Sequence, residues 1–155
     1  MAIRNAAKGV IIHEGKLLLN RCMMDGELYY TLPGGGQNQY EDMKDAVVRE
    51  CSEETGYTVI PDRFMALYEY VWDNLELREK YPDHAHTVYH VFLCHLADEN
   101  QHPPTELDSN QTGVEWFNLD ALDGVSLIPE RLADHIKDFL IDGIPKFHGT
   151  EHVEN

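Results

Sequence analysis

The stretch from Leu32 to Tyr57, LPGGGQNQYEDMKDAVVRECSEETGY, decides the fold of this chain. It opens with Pro33 and the three glycines Gly34 to Gly36, a combination typical of a sharp turn where side chains would obstruct the backbone or a ligand. From about Asp42 to Thr55 no proline or glycine intervenes, acidic residues lead, and Gly56 fits a left-handed stop. The stretch therefore predicts a glycine turn followed by a helix.

The predicted helix has an acidic side and an apolar side. At 100° per residue, Glu50, Glu53 and Glu54 fall within an arc of about 100°. The neighbouring arc is apolar and contains Val47, Val48 and Cys51. Like charges at these spacings cost an isolated helix roughly 0.2–0.5 kcal/mol per pair. A divalent cation would remove the conflict, and oxygen ligands favour a hard ion such as Mg²⁺. A solvated acidic face is the alternative.

A longer pattern surrounds these glutamates and distinguishes the two interpretations. It resembles the signature of the Nudix hydrolase family, which spaces glycine, glutamate, an Arg-Glu pair, a Glu-Glu pair and a second glycine in fixed order. The matching positions here are Gly35, Glu41, Arg49, Glu50, Cys51, Glu53, Glu54, Gly56 and Tyr57. Every charged and glycine position is met, while Cys51 and Tyr57 replace the usual aliphatic residues.

The resemblance implies a role for each matching residue. Glu50, Glu53 and Glu54, together with Gly35, would bind Mg²⁺, for which Mn²⁺ could substitute. Glu41 and Arg49 would pair and hold the loop against the helix, which makes both part of the expected catalytic set. Gly34 to Gly36 would keep the backbone close to the phosphates of the substrate.

The reaction implied by the resemblance is attack of a metal-activated water on a diphosphate bridge in a nucleoside diphosphate linked to another group. The resemblance leaves the general base open. In some relatives the loop that corresponds to residues 97–112 supplies a glutamate as metal ligand or base. The best-aligned position here is Asn110, which cannot act as a base, and Glu106 and Asp108 are nearby alternatives. A catalytically inactive nucleotide-binding sensor of the same fold is the alternative function. Triphosphates, nucleotide sugars and ADP-ribose all remain candidate substrates.

Composition limits the partners and the setting. The chain has 155 residues, a net charge of −16 and a pI near 4.7. This acidity argues against binding nucleic acid or an anionic membrane through a basic surface. Three cysteines without CxxC spacing favour a reduced, cytoplasmic location. We expect one domain over residues 1–155, and a homodimer is an expectation because dimers are common among Nudix relatives.

Outside the stretch from Leu32 to Tyr57, three residues are candidate substrate contacts. Arg21 lies near the end of a predicted strand, from which it could reach a phosphate, although a plain surface cation is the commoner role for such an arginine. Tyr30 could stack on a base or pack in the core. Arg78 lies in a charged connection, residues 73–84, that is typical of a lid or binding loop.

Histidines cluster between residues 84 and 95, where His84, His86, His90 and His95 follow one another. In a strand, His90 and His95 fall on opposite faces, so the four do not converge in any simple metal geometry. We interpret them as loop and strand histidines, one of which could contact substrate.

The last part of the chain predicts a second helix and a loose tail. Pro129 suits the first position of a helix that runs to about Ile141 and presents an apolar stripe of Leu132, Ile136, Phe139 and Leu140. This helix should cover the sheet opposite the glutamate helix, and the chain after Pro145 should be loose. The fold class expected is α/β, an alpha/beta/alpha sandwich with a mixed β-sheet, as the Nudix resemblance also implies.

Overall fold

The helix predicted from the glycine-rich stretch is present and ends as expected. The computed structural model describes residues 2–154, and helix α1 runs from Met43 to Thr55. Asp42 before it has extended backbone, and Gly56 after it takes a left-handed φ of 76° and donates its N–H to the Ser52 carbonyl. Only glycine adopts that φ without strain, so Gly56 ends the helix.

One mixed sheet forms the centre of the molecule. Its strands are β1 (Arg4–His13), β2 (Lys16–Met24), β3 (Glu27–Thr31), β4 (Gly34–Gly36), β5 (Val59–Trp72), β6 (His86–Leu96), β7 (Gln111–Asn118), β8 (Leu127–Ile128) and β9 (Lys146–Val153). Their order is β8-β3-β2-β1-β6-β5-β9, with β4 paired to β1 and β7 paired to β2. The β1–β6 pair is parallel, whereas β1–β2 and β5–β6 are antiparallel.

The sheet branches at β1, and this branch positions the glycine turn. One edge of β1 pairs continuously with β6. The other edge is divided, because Ala6 to Lys8 pair with Gly34 to Gly36 of β4 and Ile11 to His13 pair with β2. The short glycine strand is therefore fixed beside the beginning of β1. A cleft between diverging strands follows from this arrangement.

Helices cover both faces of the sheet, which confirms the predicted alpha/beta/alpha layers. Alternate residues of β1 and β2 point to opposite faces. Ala7, Ile11 and Leu18 pack with Val47 and Cys51 of α1. On the other face, a core of β-strand side chains packs against α3 (Arg131–Asp142). A 3-10 helix (Leu119–Gly124) and the short helix α2 (Leu75–Lys80) complete the structure.

The prediction of a loose tail after Pro145 is wrong. Residues Lys146–Val153 form β9, which pairs in parallel with β5 at the edge of the sheet. Their sequence, KFHGTEHV, is mostly polar and lacks the alternating apolar pattern from which a strand is recognised. Backbone hydrogen bonds to β5 hold the strand, and a sequence pattern does not reveal such bonds.

One strand contains a proline, and one residue predicted to be in the core is exposed. Strand β5 is continuous over 14 residues and accommodates Pro61 at a register shift. Leu140 was placed on the apolar stripe of the second helix, yet 42% of it is exposed, and His135 is buried on α3 instead. Among residues 2–154, no helix has the length and apolar character needed to cross a membrane.

Candidate active site

The acidic face of α1 forms one wall of a cleft. Glu50, Glu53 and Glu54 all line this cleft, which has a volume of about 780 Å³. Gly34 to Gly36 of β4 line it as well. The three glutamates and the glycine turn therefore line the same cleft.

Arg49 connects the parts of this wall. Its Nε and Nη2 atoms donate to the two carboxylate oxygens of Glu41 at 2.7 and 2.9 Å, a bidentate pair. Its Nη1 atom donates to Glu50 at 2.8 Å and to Glu53 at 3.2 Å, and Nη2 also donates to the Gly36 carbonyl at 2.8 Å. One guanidinium thus holds the loop, the glycine strand and two of the glutamates in a fixed relation.

The charges of this network stabilise one another. Hydrogen bonds from Arg49 lower the pKa of Glu41 to about 2, with a further contribution from the Asn38 N–H. The pKa of Arg49 is raised in turn, chiefly by Glu41. Glu41 is therefore ionised throughout the neutral range. The predicted pairing of Glu41 with Arg49 is present in the structure.

Glu54 differs from its two neighbours because it is buried, with only 5% of the residue exposed. Its Oε2 atom accepts hydrogen bonds from the Asn20 amide at 2.7 Å and from the Gly34 N–H at 2.8 Å. Burial raises the pKa of Glu54, while Lys8 and these two hydrogen bonds act in the opposite direction. Gln111 supports this arrangement by donating to Asn20 and to the Glu54 carbonyl.

Gly34 and Gly35 of β4 exclude a side chain for different structural reasons. Gly34 has a φ of +132°, and a Cβ there would collide with the Ala7 carbonyl of β1. Gly35 has no such φ, but a Cβ on it would occupy the position of the Glu50 carboxylate. Absence of a side chain at Gly35 therefore lets an acidic group approach the backbone of the turn.

Two cations of β1, Arg4 and Lys8, also line the cleft, and sequence reasoning missed both. Lys8 Nζ donates to the Gly34 carbonyl at 2.6 Å and to the Leu32 carbonyl at 3.3 Å, and these two hydrogen bonds attach the glycine turn to β1. The only signal in the sequence is a lysine inside an otherwise apolar strand, AAKGVII. His84 and Tyr89 complete this side of the cleft.

The polar connection after β6 folds over the end of α1. The Glu53 carbonyl accepts hydrogen bonds from the N–H groups of Thr105 and Glu106 at 2.9 and 3.1 Å. These bonds satisfy a carbonyl at the helix end and bring Glu106 and Asp108 to the cleft. Asn110 points elsewhere, donating to the Tyr29 hydroxyl at 3.1 Å. Both acidic candidates for the general base therefore lie at the site.

Arg21, Tyr30 and Arg78, the three substrate contacts predicted outside the Leu32–Tyr57 stretch, do not line this cleft. Tyr30 is a buried core residue whose hydroxyl donates to Glu115 at 2.7 Å. Arg21 lies near Thr112 on the paired strand β7. Arg78 donates to the Trp72 carbonyl and to Asp73, and it lines a separate, smaller cavity of about 320 Å³.

Of the four histidines between residues 84 and 95, three lie on β6 and His84 precedes that strand. His95 lies 2.6 Å from Asp62, and His86 lies 3.5 Å from Glu69. His84 alone of the four lines the glutamate cleft. A different group, His13, Glu14 and Glu99, has ligand atoms within 4.8 Å of one another at the opposite end of β1, where it is largely exposed.

The donor set of the cleft suits a hard divalent cation. Its candidate ligands are the carboxylates of Glu50, Glu53 and Glu54 and the backbone carbonyl of Gly35, all of them oxygen atoms. Among the described residues that line the cleft, His84 is the one histidine and there is no cysteine, so oxygen ligands outnumber the nitrogen and sulfur ligands that softer metals favour. The space left by the missing Gly35 side chain, in which the Glu50 carboxylate sits, supports the same assignment.

The chain is similar to known proteins in sequence and in fold. The family model described as the NUDIX domain matches residues 3–140. An uncharacterized Nudix hydrolase, YvcI of Bacillus subtilis strain 168, is 22% identical over 122 residues, which cover 79% of this chain and 70% of YvcI.

Solved structures agree in fold. A NUDIX hydrolase from Nitrosomonas europaea aligns with a TM-score of 0.69 and 18% identity, covering 94% of this chain and 97% of that one. An ADP-ribose pyrophosphatase from Streptococcus suis 89-1591 aligns with a TM-score of 0.63 and 22% identity, covering 97% and 100%. The motif on α1, the glycine strand beside it and the match over most of the sequence lead to one conclusion: the chain belongs to the Nudix hydrolase family.

Proposed function

We propose that this protein is a Mg²⁺-dependent hydrolase that cleaves a diphosphate linkage in a nucleoside diphosphate joined to another group. The observation that carries this proposal is the Arg49 network, which holds Glu41, Glu50 and Glu53 together on one wall of the cleft. A module that only binds a nucleotide does not need these carboxylates to be held together. The Nudix family acts on small nucleotide-like substrates, which fits a cleft of this size.

The family resemblance and the contacts of each residue together support the following roles. Glu50, Glu53 and Glu54 would hold the metal together with the Gly35 carbonyl, and Mn²⁺ could replace Mg²⁺ there. When bound, such a cation neutralises charge on phosphate oxygens and lowers the pKa of a bound water. Arg49 orients Glu50 and Glu53, and Glu41 orients Arg49.

Lys8 and the glycine strand shape the phosphate site. The ammonium of Lys8 fixes the Gly34 carbonyl and places a positive charge near buried Glu54. The strand can lie close to a ligand because its residues lack side chains on the cleft. Glu106 and Asp108 line the same cleft, and we propose that one of them is the general base that accepts a proton from the attacking water.

The proposal is tested with metal-depleted protein and a panel of nucleoside triphosphates, nucleotide sugars, dinucleoside polyphosphates and dinucleotide cofactors. Phosphate and pyrophosphate release is measured without metal, with Mg²⁺ and with Mn²⁺. We expect turnover of one substrate class only with metal, and at least about a 100-fold lower kcat in Glu53→Gln. Asp45→Asn is the matched control, since it removes one charge from the exposed side of the same helix.

Turnover of no compound would contradict the hydrolase assignment. Metal-dependent binding of one compound without turnover, measured by titration calorimetry, would instead support the nucleotide-binding sensor. Equal activity of Glu53→Gln and the wild type would remove Glu53 from the metal site.

A further inference from the structure

One positive side chain in the cleft has no partner of its own. Arg49 is fully engaged by carboxylates, and Lys8 donates to two carbonyls. Within residues 2–154, the Arg4 guanidinium makes no hydrogen bond and lies within 4.0 Å of no carboxylate oxygen. What distinguishes Arg4 is its position, because it lies in a cleft lined by five carboxylates and yet none of their oxygens is within 4.0 Å of its guanidinium.

The glycine strand leaves space for this guanidinium. A Cβ on Gly36 would lie 2.8 Å from Arg4 Nη2 and 3.1 Å from Nε. Gly36 is not in the left-handed region, so its backbone conformation does not require glycine. Its small size serves the Arg4 side chain, which lies against the backbone where any larger residue would displace it.

The same glycine links Arg4 to the glutamate network. The Gly36 carbonyl accepts a hydrogen bond from Arg49, while Arg4 lies against the position of its missing Cβ. Two guanidinium groups therefore adjoin one residue of the cleft wall. Arg49 is neutralised by Glu41, Glu50 and Glu53, but the charge and donors of Arg4 remain available to a ligand.

We propose that Arg4 binds a phosphate group of the substrate beyond the two of the cleaved linkage, and that it makes the site favour nucleotides with three or more phosphates. This inference rests on the proposed function. A metal at the glutamates would neutralise the cleaved linkage itself. A terminal third phosphate adds roughly 1.5 to 2 negative charges, and a planar guanidinium binds such a group through two parallel hydrogen bonds.

An uncharged group should gain less binding energy from Arg4 than a phosphate does, because the cleft is acidic and a phosphate needs a cation there. Five carboxylates line the cleft, namely Glu50, Glu53, Glu54, Glu106 and Asp108. A highly charged phosphate chain meets repulsion there unless metal and cations compensate for it. A sugar in place of the third phosphate has no negative charge for Arg4 to bind.

The test compares kcat and KM for nucleoside triphosphates and nucleotide diphosphate sugars in three variants. Arg4→Gln should lower the ratio of kcat/KM for triphosphate to that for diphosphate sugar by roughly 10- to 100-fold, mainly through a higher KM for the triphosphate. Arg4→Lys should restore part of the ratio, since it keeps the charge but not the fork. Gly36→Ala should lower the ratio as well, because it displaces the flexible end of Arg4.

Lys16→Gln is the control for overall charge. It removes one exposed cation at the β1–β2 turn, at the opposite end of β1 from Arg4, and should leave the ratio unchanged. Melting temperatures of all variants establish that each is folded. A ratio unchanged in Arg4→Gln, or lowered equally in Lys16→Gln, would overturn the proposal while leaving the hydrolase assignment intact.

Binding of a non-hydrolysable triphosphate analogue separates the two proposals. If no compound is hydrolysed but the analogue binds, and Arg4→Gln weakens that binding at least about tenfold, the role of Arg4 holds and the hydrolase assignment fails. If the analogue does not bind to the wild type in the presence of Mg²⁺, the assignment of Arg4 to a third phosphate is wrong.

Discussion

Helices α1 and α3 cover opposite faces of the same sheet, yet different forces hold them. They have 13 and 12 residues. The side chains that α3 buries are large, with Leu132, Ile136 and Phe139 all almost inaccessible to solvent. By contrast, α1 contributes the small side chains Ala46, Val47 and Cys51 to its core.

Polar contacts compensate for the thinner apolar face of α1. Arg49 ties the helix to the Glu41 loop and to Gly36, and Glu54 ties it to Asn20 and Gly34. The free energy gained from apolar packing is roughly proportional to the apolar area buried and does not depend on direction, whereas hydrogen bonds fix distances and angles. The comparison therefore indicates that α3 mainly supplies stability, while the contacts of α1 set the position of the glutamates.

The largest expected effect is on the side of α3. Phe139→Ala should lower the free energy of unfolding by roughly 3–5 kcal/mol, because it removes a buried ring and leaves a cavity. The kcat per folded molecule should not change, since the ring lies on the face opposite α1. Urea unfolding gives the first quantity, and activity corrected for the folded fraction gives the second.

Leu140→Ala is the matched control for Phe139→Ala. Leu140 follows Phe139 directly on α3 but is 42% exposed, so its replacement should change stability by less than about 1 kcal/mol. Equal losses for the two variants would show that the buried face of α3 has been assigned incorrectly. A lower kcat in folded Phe139→Ala would break the division of roles between the two helices.

An intermediate effect is expected on the side of α1. Arg49→Lys keeps one positive charge but cannot make the fork to Glu41 and also reach Glu50 and Gly36. We expect kcat to fall roughly 10- to 100-fold, as it does when residues that orient metal ligands are lost. Steady-state kinetics at saturating metal measures the change, and the loss of stability should be smaller than in Phe139→Ala.

The same replacement on the other face of the sheet serves as the control. Arg63 lies with its guanidinium 5.0 Å from the Phe139 ring centre and donates to the Gly143 carbonyl, away from the cleft. Arg63→Lys should therefore leave kcat unchanged. If Arg49→Lys has full activity, the guanidinium fork does not orient the glutamates and charge alone is sufficient.

The α1 region was predictable because its information is local. The helix bounds, the shared face of Glu50, Glu53 and Glu54, and the Glu41–Arg49 pair depend on spacing within one stretch of about 25 residues, which follows from helical geometry. The apolar stripes of the two helices predicted that the helices cover opposite faces of the sheet. The structure contains each of these features, which depend only on spacing along a helix.

The remainder depends on contacts between distant parts of the chain. Asn20 and Gln111 reach Glu54 from β2 and β7, and Arg4 and Lys8 reach the cleft because β1 branches. Apart from Lys8, which is a lysine inside an otherwise apolar strand, none of these residues has a local pattern that marks it as functional. Strand β9 was missed for the same reason, since pairing with β5, and not an apolar pattern of its own, places it in the sheet.

The smallest expected effect concerns the ion pair that orients the α1 network, and it should depend on pH. Arg49 lowers the pKa of Glu41 from its ordinary value of 4.5 to about 2. A lowered carboxyl pKa stabilises the folded state above the pKa of the unfolded chain, and the contribution is lost as pH falls through the folded pKa. Glu41→Gln should thus lower the free energy of unfolding near neutral pH by on the order of 1 kcal/mol.

The difference in unfolding free energy between wild type and Glu41→Gln should stay constant from neutral pH down to about 4.5 and then shrink as the pH approaches about 2. Urea unfolding at a series of pH values measures it. In an Arg49→Lys background the same substitution should have less effect, because two residues that contact each other are not additive. If the difference is the same at every pH, Arg49 does not perturb the pKa of Glu41, and the Glu41–Arg49 pair does not contribute to the attachment of α1 to its loop.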